Sequence, residues 1–191
     1  MHSTSIHPDP SPKIIAIAGP AGSGKDTAAN FINRQNNLYC KYRFADPIKR
    51  TIKTLFDFTE EQIEDRHLKE QIDLRWGFSP REAMQRFGTE FGRDLKDDIW
   101  LKFAERALHK NGNLVIGDCR FENEAEWVRN NGGQIIQIYP SPSASIASVP
   151  FHRSEGGIVR HEDTIYIMND LVNLDLFEDT LAYHLRKLAV I

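Results

Sequence analysis

The chain has 191 residues, 40% apolar and 27% charged, with a formal net charge of −3. That length suits one domain with its own core, and the balance excludes a disordered polyelectrolyte, a basic nucleic-acid-binding surface and a polybasic membrane patch. The opening MHSTSIHPDPSP lacks the basic start and apolar run of a secretory signal, and no stretch is long enough to span a bilayer. The expectation is a cytoplasmic protein with a flexible leader, residues 1–12, ahead of a single domain, 13–191. Cys40 and Cys119 are too few for a disulfide framework and no Cys/His spacing suits zinc, so both read as reduced thiols.

In chain order, KIIAIAG is a short apolar run ending in glycine, the pattern of a strand buried on both faces. GPAGSGKDT follows, in which Gly19, Gly24 and Lys25 have the spacing of a phosphate-binding loop, with Asp26 where a metal-binding hydroxyl is expected. Gly19, Gly22 and Gly24, with Ala21 and Ser23 among them, let the backbone close around phosphates. The helix expected over Lys25–Arg34 adds its positive end, Lys25 reaches the outer phosphates, and Thr27 keeps a phosphate contact. The Asp26 carboxylate suits Mg²⁺, directly or through water; the bland alternative is a first-turn acid that only complements the helix dipole.

LYCKYRF reads as the second strand, and ADPIKRTIKTLF as a helix capped by Asp46 with Pro47 in its first position. Thr59–Arg75 reads as a charged helix, and SPREAMQRFGTEFGRDL starts another at Ser79, with Glu82 in capping-box spacing. DDIWLKFAERALHKNG is a helix closed by Gly112, NLVIGD the third strand, RFENEAEWVRNNGG a helix, and QIIQIYP and TIYIMND the fourth and fifth strands. The last helix, NLDLFEDTLAYHLRKL, places Leu174, Phe177, Leu181 and Leu185 at helical spacing. Ser141–Arg160, rich in Ser, Pro and Gly, is too long for an ordinary connection and reads as a lid loop.

This alternation predicts an α/β protein, a mainly parallel five-stranded sheet flanked by helices, with a helical section over about 46–111 and ligands at the carboxyl ends of the strands. Polar residues gather at those ends. Asp118, with Arg120 two residues on, suits a second metal contact and stabilisation of a transferring phosphoryl group; otherwise they are a helix cap and a surface ion pair to Glu124. Lys49, Lys69, Arg81 and Arg120 in a net-negative chain suggest focused anion binding, and the Gln85 amide can read a base edge. Trp100 reads first as core, Thr89 and Glu90 after Gly88 as a break in a helix, Arg93 as the weakest candidate, and Arg153 and Arg160 as cations of the lid.

GPAGSGKDTAANFI, RFADPIK, REAMQRFGTEFGRDLKDDIWLKFA, VIGDCRFENEAEWVRNNGGQIIQI, HRSEGGI and IMND resemble, in order, successive blocks of the bacteriophage-type deoxynucleoside monophosphate kinases. The likeness runs from about Lys13 to the C-terminus, with GKDT, the D-x-R element and H-x-S-E as its most specific marks. It implies a P-loop NTPase fold and transfer of the γ-phosphoryl of ATP, with Mg²⁺, to a deoxynucleoside 5′-monophosphate, in the cytoplasm of a host if the chain is phage-encoded. It implies no nucleic-acid polymer or membrane as partner, and association as a homodimer.

By the same resemblance Gly19–Thr27 and Arg153 hold ATP, Lys25, Asp26, Asp118 and Arg120 are catalytic, and Asp26 and Asp118 meet the metal. Phe44, Asp46, Lys49, Lys69, Arg81, Gln85, Gly88, Thr89, Trp100, Arg120 and Glu124 would face the acceptor. The stretch from Lys49 to Pro80 lacks an insert that some members carry, which leaves base preference open. Two rivals stay open as well: an ATP-dependent kinase of another phosphorylated metabolite, of the phosphomevalonate or dephospho-coenzyme A type, and a non-catalytic ATP-binding switch.

Overall fold

The computed structural model describes residues 12–142 and 157–191. Its centre is a sheet of five parallel strands in the order β2-β3-β1-β4-β5: β1 Ile14–Ala18, β2 Tyr39–Tyr42, β3 Asn113–Cys119, β4 Gln134–Pro140 and β5 Ile165–Asn169. The helices are α1 Lys25–Gln35, α2 Asp46–Phe56, α3 Glu60–Glu64, α4 Pro80–Gln85, α5 Ile99–Asn111, α6 Glu122–Asn130 and α7 Leu174–Lys187. Every residue of β1 is buried because helices cover both faces of the sheet. Ile14, Ala16, Leu114, Ile116 and Ile135 pack on one face with α2, α5 and α6, while Ile15, Ile17, Val115, Ile136 and Ile138 pack on the other with α1 and α7. The alternation along each strand divides the core into these two halves. Cys119 is buried and Cys40 half-buried, both as free thiols. Among the described residues no helix is long and apolar enough to cross a membrane.

The strands fall where the apolar runs predict them, and the helical section departs from expectation in three places. The helix expected over Thr59–Arg75 is broken into pieces. A capping box between Thr59 and Gln62 starts α3, but Asp65 accepts from the backbone N–H groups of His67 and Leu68 and ends it. A 3-10 turn, Leu68–Glu70, and a loop closed by the bridge between Asp73 and Phe78 follow. Asp46 does not cap α2. Ala45 holds the cap position, and the Asp46 carboxylate turns back to accept from Arg43 N and Nε, at 3.1 and 2.8 Å. Nor does the chain break at Gly88: α4 opens on the Ser79 cap and continues into a π-helix, Arg86–Arg93. A Cβ on Gly88 would lie 2.8 Å from Ile48 Cδ1, and one on Gly92 would strike the Trp100 indole, so both glycines admit close neighbours. Trp100 Nε1 then donates to Gly88 O at 2.7 Å.

In α7 the buried stripe is Phe177, Leu181 and Leu185, while Leu174, at the first helical position, is exposed. Most of the lid candidate, including Arg153, lies outside the described residues. Where the chain re-enters, Val159 N donates to Glu122 Oε2 at 2.7 Å and the Arg160 guanidinium lies 5.2 Å above the Tyr166 ring of β5.

Candidate active site

The carboxyl ends of β1 and β3, the turn after β2 and the helical section enclose a cavity of about 750 Å³. The loop after β1 forms one wall, and backbone conformation dominates it. Gly19, Gly22 and Gly24 have φ of 142°, 79° and 101°, which L side chains rarely adopt. Crowding enforces two of them: a Cβ on Gly24 would fall 2.5 Å from Asn169 Nδ2, and one on Gly19 would collide with Ile138 O of β4. Asn169, the last residue of β5, donates to Ser23 O at 3.0 Å and so fastens the loop to the sheet. Lys25 Nζ donates to Gly19 O and Pro20 O at 2.8 and 2.6 Å. Loop N–H groups followed directly by α1 form an anion cradle with the helix dipole behind it.

Asp26 is exposed in the first turn of α1, with Oδ1 3.8 Å from the point where a side chain on Gly117 would begin. At Gly117 and Asp118 the β1–β3 ladder is irregular: Ala16 pairs with Ile116 but Ala18 with Cys119. Asp118, at that irregularity, accepts from Phe44 N and Ala45 N at 2.8 and 3.0 Å, tying the β2–α2 turn to β3. Burial raises its carboxyl pKa, opposed by those two bonds and by the Arg120 charge. Mg²⁺ characteristically takes one or two carboxylates and completes its shell with water and substrate phosphates. Asp26 and Asp118 around Gly117 fit that sparse donor set; among the described residues no three His, Cys, Asp or Glu groups form a cage.

The facing wall is made of side chains. Glu64 binds both Lys49, at 2.8 Å, and Arg43, at 3.1 Å, and these bonds lower its pKa against the opposing effect of burial. Arg81 pairs with Glu70. Lys69 has its pKa lowered, first by burial and then by repulsion from Arg81 and Lys49, so it stands as a cation among cations. Phe44, Gln85, Gly88, Thr89 and Trp100 complete this side, and Trp100, 5% exposed, serves both the core and the cavity.

Between the walls lies a buried ion pair, Arg93 with Glu124, their side chains 3% and 2% exposed. Glu124 also accepts from Arg120 N and Phe121 N at 2.8 and 3.1 Å, while the Arg93 guanidinium sits 3.7 Å over the Phe121 ring and donates to Asn123 Oδ1 at 3.2 Å. Burial raises the Glu124 pKa to about 7, with the Asp118 charge adding to the rise and the N–H donors and Arg93 opposing it. Glu124 is therefore an internal strut that sets the backbone at Arg120.

Of the sequence candidates, Ala21, Gly22, Lys25, Asp26, Lys49, Lys69, Arg81, Asp118, Arg120 and Glu124 all line this cavity. Thr27 lies one step further along α1 outside the lining, and Asp46 faces Arg43. Asn169, Arg43, Glu64 and Arg66 are not among the sequence candidates, and Arg93 is the weakest of them. Only Asn169 has a local signal, its place in IMND at the end of a predicted strand.

A family model described as deoxynucleotide monophosphate kinase matches residues 13–75 and 56–179. A protein of Acanthamoeba polyphaga mimivirus, named as a candidate deoxynucleotide monophosphate kinase, is 33% identical over 182 residues, covering 83% of this chain and 90% of its own. Among solved structures, a gluconokinase from Sinorhizobium meliloti 1021 has a TM-score of 0.53 at 13% identity, covering 93% of this chain and 94% of its own. Likeness at that identity speaks for a shared kinase fold alone.

Proposed function

The chain belongs to the deoxynucleotide monophosphate kinase family, and from that premise we propose that it transfers the γ-phosphoryl of ATP to a deoxynucleoside 5′-monophosphate, giving ADP and a deoxynucleoside diphosphate. The observation that carries this reading is a single cavity with two unlike walls, a phosphate loop on one side and a set of cations on the other. A protein that only held ATP would need the first wall; a phosphorylated acceptor accounts for the second.

The loop N–H groups bind the donor phosphates, and Lys25 leaves the carbonyls of Gly19 and Pro20 to meet the β and γ oxygens. Mg²⁺, when bound, neutralises phosphate charge, and Asp26 and Asp118 are the residues that would hold it or its water. Lys69, Arg81 and Lys49 take the acceptor phosphate, with Glu64 and Glu70 releasing their cations as the substrate arrives. Gln85, Thr89 and Trp100 flank the base. Arg120, held through its backbone by Glu124, supports the charge where donor and acceptor meet. A phosphate monoester has a second pKa of about 6, so at neutral pH its oxygen attacks already ionised and the site needs no general base.

The test is turnover of the common deoxynucleoside monophosphates with ATP and Mg²⁺, beside phosphomevalonate and dephospho-coenzyme A. Equal yields of ADP and deoxynucleoside diphosphate are expected, and no turnover of any deoxynucleotide would sink the reading. Asp26→Asn should lower turnover by about 10²- to 10³-fold with the melting temperature unchanged, and Asp26→Ser should regain part of it. Full activity in the Asn variant would reduce Asp26 to a helix-end charge.

A further inference from the structure

Arg66 follows α3 in the turn that Asp65 makes by accepting from His67 N and Leu68 N. The segment belongs to the cationic wall, yet its guanidinium reaches the phosphate loop. Nη2 and Nη1 lie 3.9 and 4.0 Å from the point where a side chain on Gly22 would begin, and Gly22 is exposed within the cavity. The nearby acids are engaged elsewhere: Glu64 holds Arg43 and Lys49, Glu70 holds Arg81, and Asp65 holds its own turn. Among the described residues the Arg66 side chain has no hydrogen-bond or ion-pair partner. A planar, permanently charged fork beside an anion cradle has its complement in a phosphate.

We propose that Arg66 is a catalytic residue that crosses from the acceptor wall to the γ-phosphate of the donor and stabilises the phosphoryl group during transfer. The inference rests on the phosphotransfer reading above. In that step the bond from the γ-phosphorus to the β,γ-bridging oxygen breaks and its electron pair stays on ADP. A bond from the γ-phosphorus to an acceptor phosphate oxygen forms, and no proton moves because that oxygen is already ionised. The Arg66 N–H groups bear on the non-bridging oxygens of the moving group, where charge must be held while both bonds are partial. The same short segment presents Lys69 to the cavity, so the acceptor site and this donor contact share one mechanical support.

Arg66→Ala and Arg66→Lys are to be compared with the wild type in turnover of the best deoxynucleotide, and in calorimetric binding of ATP and of ADP without acceptor. For Arg66→Ala, kcat should fall at least about 10²-fold, the ATP Kd should rise about tenfold, and the ADP Kd and acceptor KM should stay near wild type. Arg66→Lys should restore the charge but little of the rate, since an ammonium lacks the fork. A kcat within about threefold of wild type in the Ala variant, or equal weakening of ATP and ADP, overturns the assignment. If the wild type phosphorylates no deoxynucleotide, the phosphotransfer reading falls, and the ATP and ADP constants still decide Arg66: selective loss of ATP keeps the γ-phosphate contact, and no loss removes it.

Discussion

On the function proposed above, the two walls of the cavity solve the same problem, holding phosphate, by opposite means. The donor wall is backbone: three glycines at positive φ, a carbonyl fastened by Asn169, and a lysine parked on two more carbonyls. The acceptor wall is side chains already paired with carboxylates, Lys49 and Arg43 on Glu64 and Arg81 on Glu70. A triphosphate is the same whatever nucleoside carries it, so a fixed cradle suits it. An acceptor must be admitted, read and released, and exchangeable ion pairs allow that at small cost, because such exposed pairs are each worth only about 0–1 kcal/mol.

The comparison can be broken most severely where a side-chain pair behaves like part of the backbone. Arg93→Met should cost about 3–5 kcal/mol in urea unfolding at pH 8, because Glu124 is left as a buried, unpaired charge. The loss should shrink at pH 6. The Glu124 pKa is raised from 4.5 to about 7 on folding, so its stabilising contribution is complete below about 4.5 and is lost as pH rises through about 7. Glu124→Gln, which resembles the protonated form, should be milder and should remove that pH dependence.

Gly24→Ala attacks the donor wall. Its φ of 101° and the approach of Asn169 Nδ2 should together cost about 2–3 kcal/mol, read as weaker ATP binding by calorimetry with the acceptor constant unmoved. Lys69→Ala attacks the other wall and should raise the acceptor KM by roughly 10- to 100-fold while leaving the ATP constant alone. Glu64→Gln should do least, under about 1 kcal/mol in stability and a few-fold in acceptor KM, since it frees two surface cations. A large effect there would mean that the ion pairs are structural and that the wall does not exchange partners.

The donor wall was legible in the sequence because its information is local. A buried strand, a glycine spacing and a helix start stand within one short run, and each names its own conformation. The acceptor wall was legible only as a list of cations. Arg93 and Glu124 are 31 residues apart and nothing in either neighbourhood announces the pair, so Arg93 ranks last until the fold joins them. Thr59–Arg75 misleads for a different reason: its charge pattern is helical, but the carboxylates of Asp65 and Asp73 accept from N–H groups just ahead of them and compete with the helix. That same interruption turns Arg66 toward the loop, which an unbroken helix had no reason to suggest.

The hydrogen bond from Asn169 to Ser23 O spans 146 residues of chain. During synthesis the phosphate loop leaves the ribosome early, while the side chain that fastens it arrives with the last strand. An incomplete chain therefore carries the glycine-rich loop without its clamp, and the loop is fastened only when the last strand has joined the sheet.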